Sequence, residues 1–63
     1  FYAGSIRDFT RLLELEPDND RAAVHRAISY ARTGNTNTAC QELSRLAKKG
    51  DETSIRLLEE YCR

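Results

Sequence analysis

The sequence predicts an all-α fold in which antiparallel helix-turn-helix pairs, about four helices in all, stack as an alpha-alpha superhelix. When the chain is shifted by 34 positions, residues 5–17 fall on residues 39–51, and most apolar or small positions coincide. Apolar residues also recur at helical spacings between short breaks, as in antiparallel helices packed side by side. A repeat of this length is typical of stacked helix pairs that bury one another's apolar faces.

Composition limits the classes of function. The chain has 63 residues, 32% of them charged and 40% hydrophobic, as in a single soluble helical domain. Ten basic and ten acidic residues cancel, so the positive field that attracts nucleic acid is missing. No apolar run approaches the ~18 residues that a membrane span needs. We therefore expect neither nucleic acid nor membrane as a partner.

The first helix is predicted for residues 3–16. Its apolar residues recur at the spacing of one helix face. Pro17 ends the helix, because proline lacks an amide hydrogen and restricts the residue before it. The apolar positions are Ile6, Phe9, Leu12 and Leu13.

A complete helix pair is predicted for residues 20–50. Residues 18–20 offer oxygen atoms to the free amides at the start of helix two, and Gly34 ends that helix. Helix three covers about residues 37–49 and stops at Gly50. The predicted core positions are Ala23, Val24, Ala27, Ile28, Tyr30 and Ala31 in helix two and Ala39, Cys40, Leu43, Leu46 and Ala47 in helix three.

The last helix, residues 52–63, is predicted to be a C-terminal cap that begins with the capping residues 51–54. Its packed side is expected to carry Ile55, Leu58, Tyr61 and Cys62, and its outer side Arg56, Glu59, Glu60 and Arg63. Charged residues elsewhere, such as Arg7, Glu14 and Lys48, are expected to form solvated faces.

With these residues the whole chain resembles the C-terminal end of a tetratricopeptide repeat (TPR) array. That family has a small residue in its first helix, an aromatic residue three positions later, a glycine at the turn and an alanine early in the second helix. The matching residues are Ala27, Tyr30, Gly34 and Ala39, followed by Leu43 and Leu46, with Pro17 closing an earlier repeat. The resemblance implies one second helix, one full repeat and a capping helix.

Two positions depart from the TPR pattern. Asp51 stands where proline is usual, and Ala23 stands where a bulky residue is common. The segment LAKKGD, followed by an apolar helix, is also similar to the junctions of Sel1-like repeats, a related helix-pair family with a variable period. The strict 34-residue spacing favours the TPR interpretation over this alternative.

The resemblance implies a module that binds a protein or peptide through the inner wall of the superhelix. An extended peptide with a hydrophobic anchor and acidic flanks would suit this wall. Val24 and Ile28 stand where chaperone-binding members carry lysine and asparagine, so a carboxylate clamp is not expected. Alternatively, these two residues only pack against helix four or a neighbouring chain. The implied groove positions are Arg21, Val24, His25, Ile28, Ala31 and Arg32.

A second hypothesis is that the chain is a structural cap or self-association segment of a longer array. The chain begins at Phe1 and contains no methionine, so we expect a fragment or a processed product. Without a preceding helix, Ile6, Phe9 and Leu13 should be exposed and then covered by a second copy of the chain.

Cys40 and Cys62 allow three interpretations. Antiparallel packing of helices three and four would bring them together, so a disulfide is possible, but two reduced core cysteines are commoner and we favour them. Their spacing does not suit a zinc site, and no cofactor is predicted. A cysteine nucleophile paired with His25 is the third hypothesis, and we expect no enzyme. We favour a cytoplasmic location, and a periplasmic or secreted one if Cys40 and Cys62 are bridged.

Overall fold

The structure, a computed structural model, describes residues 2–62, with side chains from residue 4 onward. Within this range the chain forms four α-helices and no strand, which confirms the predicted all-α class and the number of helices. Arg63, predicted on a solvated face, lies outside the described residues. The helices are α1 (Tyr2–Leu15), α2 (Asp20–Arg32), α3 (Thr36–Lys48) and α4 (Glu52–Tyr61).

The ends of the helices are set by local chemistry. The Asn19 side chain accepts a hydrogen bond from the amide of Ala22 at 3.1 Å at the start of α2. Gly34 and Gly50 follow α2 and α3 with φ of +93° and +94°. Side chains with a Cβ rarely adopt these angles, which explains why both positions are glycine. The predicted helix ends are confirmed to within one or two residues.

Helix α2 is the centre of the fold and packs against α1, α3 and α4. Its buried residues are small apart from Val24, so neighbouring helices can approach its backbone closely. Ser29 is buried too, and its hydroxyl donates to the carbonyl of His25 at 3.1 Å. Tyr30 and Ala31, predicted as core residues, are only half-buried. The buried residues are Ala22, Ala23, Val24, Ala27 and Ser29.

Helix α3 supplies the large side chains of the core. Leu43 and Leu46 are fully buried, as is Ala39. Leu46 joins Ala23 and Val24 in one buried cluster. Three half-buried residues pack around this cluster: Leu13 of α1, Ile28 of α2 and Leu57 of α4. The predicted core face of α3 is thus confirmed at these three positions, while Cys40 and Ala47 are half-buried.

Helix α4 packs through a different face from the predicted one. Ser54 is fully buried, whereas Ile55, which we placed on the packed side, is 43% exposed. The packed face follows the helical series of residues 54, 57, 58 and 61, of which the last three are half-buried. The assignment of Ile55 was wrong, because Ser54 turns inward and donates its hydroxyl to Asp51 at 2.6 Å.

Helix α1 does not leave its apolar side bare. Ile6, Phe9 and Leu13 are all half-buried, because α1 packs against α2. Leu13 contacts the central cluster, and the Phe9 ring stacks on the His25 ring with 5.7 Å between centroids. The expectation that these three residues are exposed was therefore wrong, although Leu15 at the end of α1 is 78% exposed.

Polar side chains tie the first three helices together. Arg26 of α2 donates to Glu42 of α3 at 2.6 Å and to Thr10 of α1 at 3.4 Å. Lys49, after the end of α3, pairs with Asp20 at the start of α2 at 3.1 Å. Because the end of α3 meets the start of α2, these two helices run antiparallel.

Replacing Leu46 with alanine should cost about 2–5 kcal/mol of the free energy of unfolding, because it removes a fully buried side chain from the central cluster. Leu15→Ala is the matched control, since the same atoms are removed from a residue that is 78% exposed. Urea denaturation of both variants measures the difference. Equal midpoints for the two variants would contradict this assignment of the core.

Candidate functional site

A depression lies between α2 and the start of α4. Its volume is about 270 Å³. Residues 21, 24, 25 and 28 lie on one face of α2 at helical spacing and form one side of it. The α3–α4 turn and the first turn of α4 form the other side. The lining residues are Arg21, Val24, His25, Ile28, Asp51 and Thr53.

Four of the six predicted groove residues therefore share this depression. Ala31 and Arg32 do not line it, although they continue the same face of α2. The reason is geometric. Helices α2 and α4 both begin at the same end of the fold, because α3 runs antiparallel to each of them. The first turn of α4 therefore stands beside the early turns of α2, and the last turn of α2 lies beyond it.

The floor of the depression is apolar and its rim is charged. Val24 is only 7% exposed, and the half-buried Ile28 packs against the central cluster, as does Leu57 of α4. Val24 and Ile28, the two floor residues, therefore also take part in the packing against α4, which was the alternative role predicted for them. Arg21 and His25 are exposed at the rim. Such a surface can hold an apolar group and pair a carboxylate with the Arg21 guanidinium.

Asp51 and Thr53 were missed as lining residues by the sequence analysis, which assigned residues 51–54 only to helix capping. That assignment is itself confirmed, because Asp51 Oδ2 accepts from the Ser54 amide at 2.8 Å as well as from its hydroxyl. The order of antiparallel helices was the available signal, since it places the start of α4 beside the start of α2.

Cys40 and Cys62 form a disulfide, with 5.9 Å between their Cα atoms. The bond joins the early part of α3 to the residue that ends α4, as antiparallel packing allows. The reduced core pair that we favoured was therefore wrong, and both cysteine residues are only half-buried. Closing this loop stabilises the fold by roughly 3 kcal/mol on the chain-entropy estimate. With both thiols bonded, neither cysteine is free to act as a nucleophile beside His25.

Neither a membrane-spanning helix nor a metal-binding cluster is present in the part of the chain that the structure describes. None of its helices combines the length and the apolar character that crossing a membrane requires. Its His, Cys, Asp and Glu side chains form no group of three or more that could hold a metal ion.

Comparison with known proteins gives no family assignment. No protein-family model, no curated protein and no solved structure matches the chain.

Asp51→Ala should cost about 0.5–2 kcal/mol of stability, because it removes the cap of α4 and leaves the buried Ser54 hydroxyl without its acceptor. Asp18→Ala, in the exposed turn before α2, is the control and should change stability by less than about 0.5 kcal/mol. Thermal unfolding of both variants, followed by circular dichroism, measures the effect. Equal melting temperatures for the Asp51→Ala and Asp18→Ala variants would exclude a capping role for Asp51.

Proposed function

We propose that the protein is a protein–protein interaction or scaffold module that binds a partner polypeptide in the depression between α2 and α4. The observation that carries this proposal is an apolar floor, Val24 and Ile28, beside a rim with an exposed arginine. Small-molecule sites usually measure about 300–1,000 Å³. A depression of about 270 Å³ suits a peptide side chain better than a whole cofactor.

The proposed partner is an extended peptide with one hydrophobic anchor and acidic flanks. The anchor would pack on Val24 and Ile28, where it removes apolar surface from water. An acidic residue next to it would pair with Arg21, whose guanidinium can bind a carboxylate with two hydrogen bonds. Asp51 on the opposite side already accepts two hydrogen bonds from Ser54, so it is less available to the peptide.

The TPR resemblance supports the same proposal. In a TPR array the inner wall consists of first helices, and α2 is the first helix of the complete repeat in this interpretation. A Sel1-like array is the alternative and would use the same helix pair. A module that acts by binding a partner agrees with our proposal that the chain is not an enzyme.

The disulfide bears on the proposed location. Disulfides persist in oxidising compartments and are rare in the reducing cytosol. Because Cys40 and Cys62 are bonded, we propose a periplasmic or secreted location rather than a cytoplasmic one.

Arg21→Glu should weaken binding of an acidic-flanked peptide about tenfold, because it turns attraction at the rim into repulsion. Arg32→Glu is the matched control, since Arg32 is an exposed arginine of the same helix that does not line the depression. Its effect should stay below about twofold. Fluorescence anisotropy with a labelled peptide library, in which one aliphatic or aromatic residue is flanked by Asp and Glu, measures both affinities.

A peptide with basic flanks should recover affinity for the Arg21→Glu variant if the two charges meet directly. Ile28→Ala should weaken both peptides equally, because it removes part of the floor. The proposal is overturned if the oxidised protein binds no peptide of the library, or if Arg21→Glu and Arg32→Glu have the same effect.

Self-association is a second candidate function, and the exposed Leu15 at the end of α1 favours it. Leu15 is 78% exposed, and Ile6 and Phe9 are only half-buried. We expect light scattering to give the mass of a dimer at high concentration, and Ile6→Glu to restore the monomer. Arg7→Glu is the control, since it adds a carboxylate to an exposed position of the same helix. A monomer at every concentration would leave only the peptide-binding candidate.

A further inference from the structure

We propose that the Cys40–Cys62 disulfide is a redox-sensitive latch on α4, which small anionic thiols open from the outer surface of α3. Opening the latch releases α4 and removes one wall of the depression beside α2. The release of α4 does not depend on the proposed function. Its effect on peptide binding rests on the proposed function.

The disulfide is reachable from a second depression, which lies on the outer face of α3. This depression is open and larger than the first, with a volume of about 620 Å³. Cys40 lines it and is only half-buried, so a small thiol can approach this side of the bond. The lining residues are Asn37, Cys40, Gln41, Ser44, Arg45 and Lys48.

The charge around this depression favours an anionic thiol. Arg45 and Lys48 are exposed along the same face of α3. Glu42 neutralises Arg45 only weakly, since their atoms are 3.7 Å apart and Glu42 already pairs with Arg26 at 2.6 Å. Asn37 and Gln41 add amide groups that can bind carboxylates. A peptide thiol that carries carboxylates, of which glutathione is the simplest probe, fits this chemistry.

The exchange reaction proceeds in two steps. A thiolate attacks the Cys40 sulfur, forms a mixed disulfide with it, and breaks the bond to Cys62, which leaves as a thiolate. A second thiol attacks the outer sulfur of the mixed disulfide and releases Cys40 as a thiolate. Two small thiols are thereby oxidised to their disulfide and give two electrons to the protein disulfide. Their two protons pass through water to Cys40 and Cys62.

Helix α4 is the element that depends on this bond. It has ten residues, a length at which an isolated helix is unstable in water. Ser54 is its one fully buried residue among those described, and its apolar side chains are at most half-buried. The Asp51 cap bonds only to Ser54 within α4, so it does not attach the helix to its neighbours, whereas Cys62 ties the end of α4 to α3. Without this attachment, the whole short helix separates from α3.

The other three helices keep their own core when α4 separates. Leu43 and Leu46 of α3 pack with the small residues of α2, and the Arg26–Glu42 pair joins the same two helices. By contrast, Asp51 and Thr53, which line the α2 depression, belong to the start of α4 and move away with this helix. Reduction therefore removes one wall of the depression, while Val24 and Ile28 of its floor stay in the folded helix α2.

Residue-resolved amide exchange of the oxidised protein and of the same protein in dithiothreitol tests the latch. We expect exchange to rise about 100-fold at the protected amides of α4 on reduction and by less than about tenfold in α2. The double variant Cys40→Ser, Cys62→Ser should match the reduced protein under both conditions. Unchanged protection of α4 would overturn the proposal, and so would equal loss of protection in all four helices.

The route of attack is tested by reduction rates with two thiols of opposite charge. Reversal of both cations, Arg45→Glu with Lys48→Glu, should slow reduction by glutathione several-fold but not by cationic cysteamine. Arg7→Glu with Arg11→Glu is the control, because these exposed arginines of α1 do not line the depression on α3. Equal changes for the two thiols would overturn the proposed entry over α3.

Peptide affinity measured on the same samples separates this inference from the proposed function. We expect the reduced protein to bind the acidic-flanked peptide at least tenfold more weakly than the oxidised protein. If the oxidised protein binds no peptide, the proposed function fails while the exchange rates still decide the latch. If α4 is released and affinity is unchanged, control of the depression by the latch is wrong.

Discussion

Helix α2 is buried on two opposite sides, and this is possible because the residues at its contacts are small. Ala23 and Ala27 have almost no exposed surface, so the neighbouring backbones come close without a gap. A larger side chain at either position would push α1 or α3 away and lengthen the contacts that Arg26 makes to both. The floor of the depression and the docking surface of α4 are both parts of this central helix, so their geometry depends on the same close packing.

The features that the sequence predicted correctly are those set within a few residues. Pro17, Gly34 and Gly50 end helices through their own backbone restrictions, and the Asn19 and Asp51 caps act on amides three residues away. The rotation of α4 about its axis is a different kind of property. Its sequence allows an apolar stripe that includes Ile55 and another that includes Ser54, and only contact with α2 and α3 selects between them.

The same distinction applies to the candidate site. Arg21, Val24, His25 and Ile28 lie on one face of one helix, so their spacing was enough to bring them together. The contribution of the α4 start and the pairing of Cys40 with Cys62 depend on how antiparallel helices align. Neither follows from spacing along the chain. The absence of Ala31 and Arg32 from the depression has the same origin, since it reflects where α4 begins.

The site joins the most buried helix of the structure to one of its least buried helices. Because α4 buries little apolar surface and its end is tied to α3 by the disulfide, its docking equilibrium responds to small free energies. A partner that contacts Asp51 or Thr53 makes these contacts only when α4 is docked. Its binding therefore stabilises the docked position of α4, and this stabilisation equals the binding free energy that is lost when α4 undocks. A partner that contacts α2 alone has no such coupling. Contact with the first turn of α4 therefore determines whether the disulfide and the bound partner influence each other.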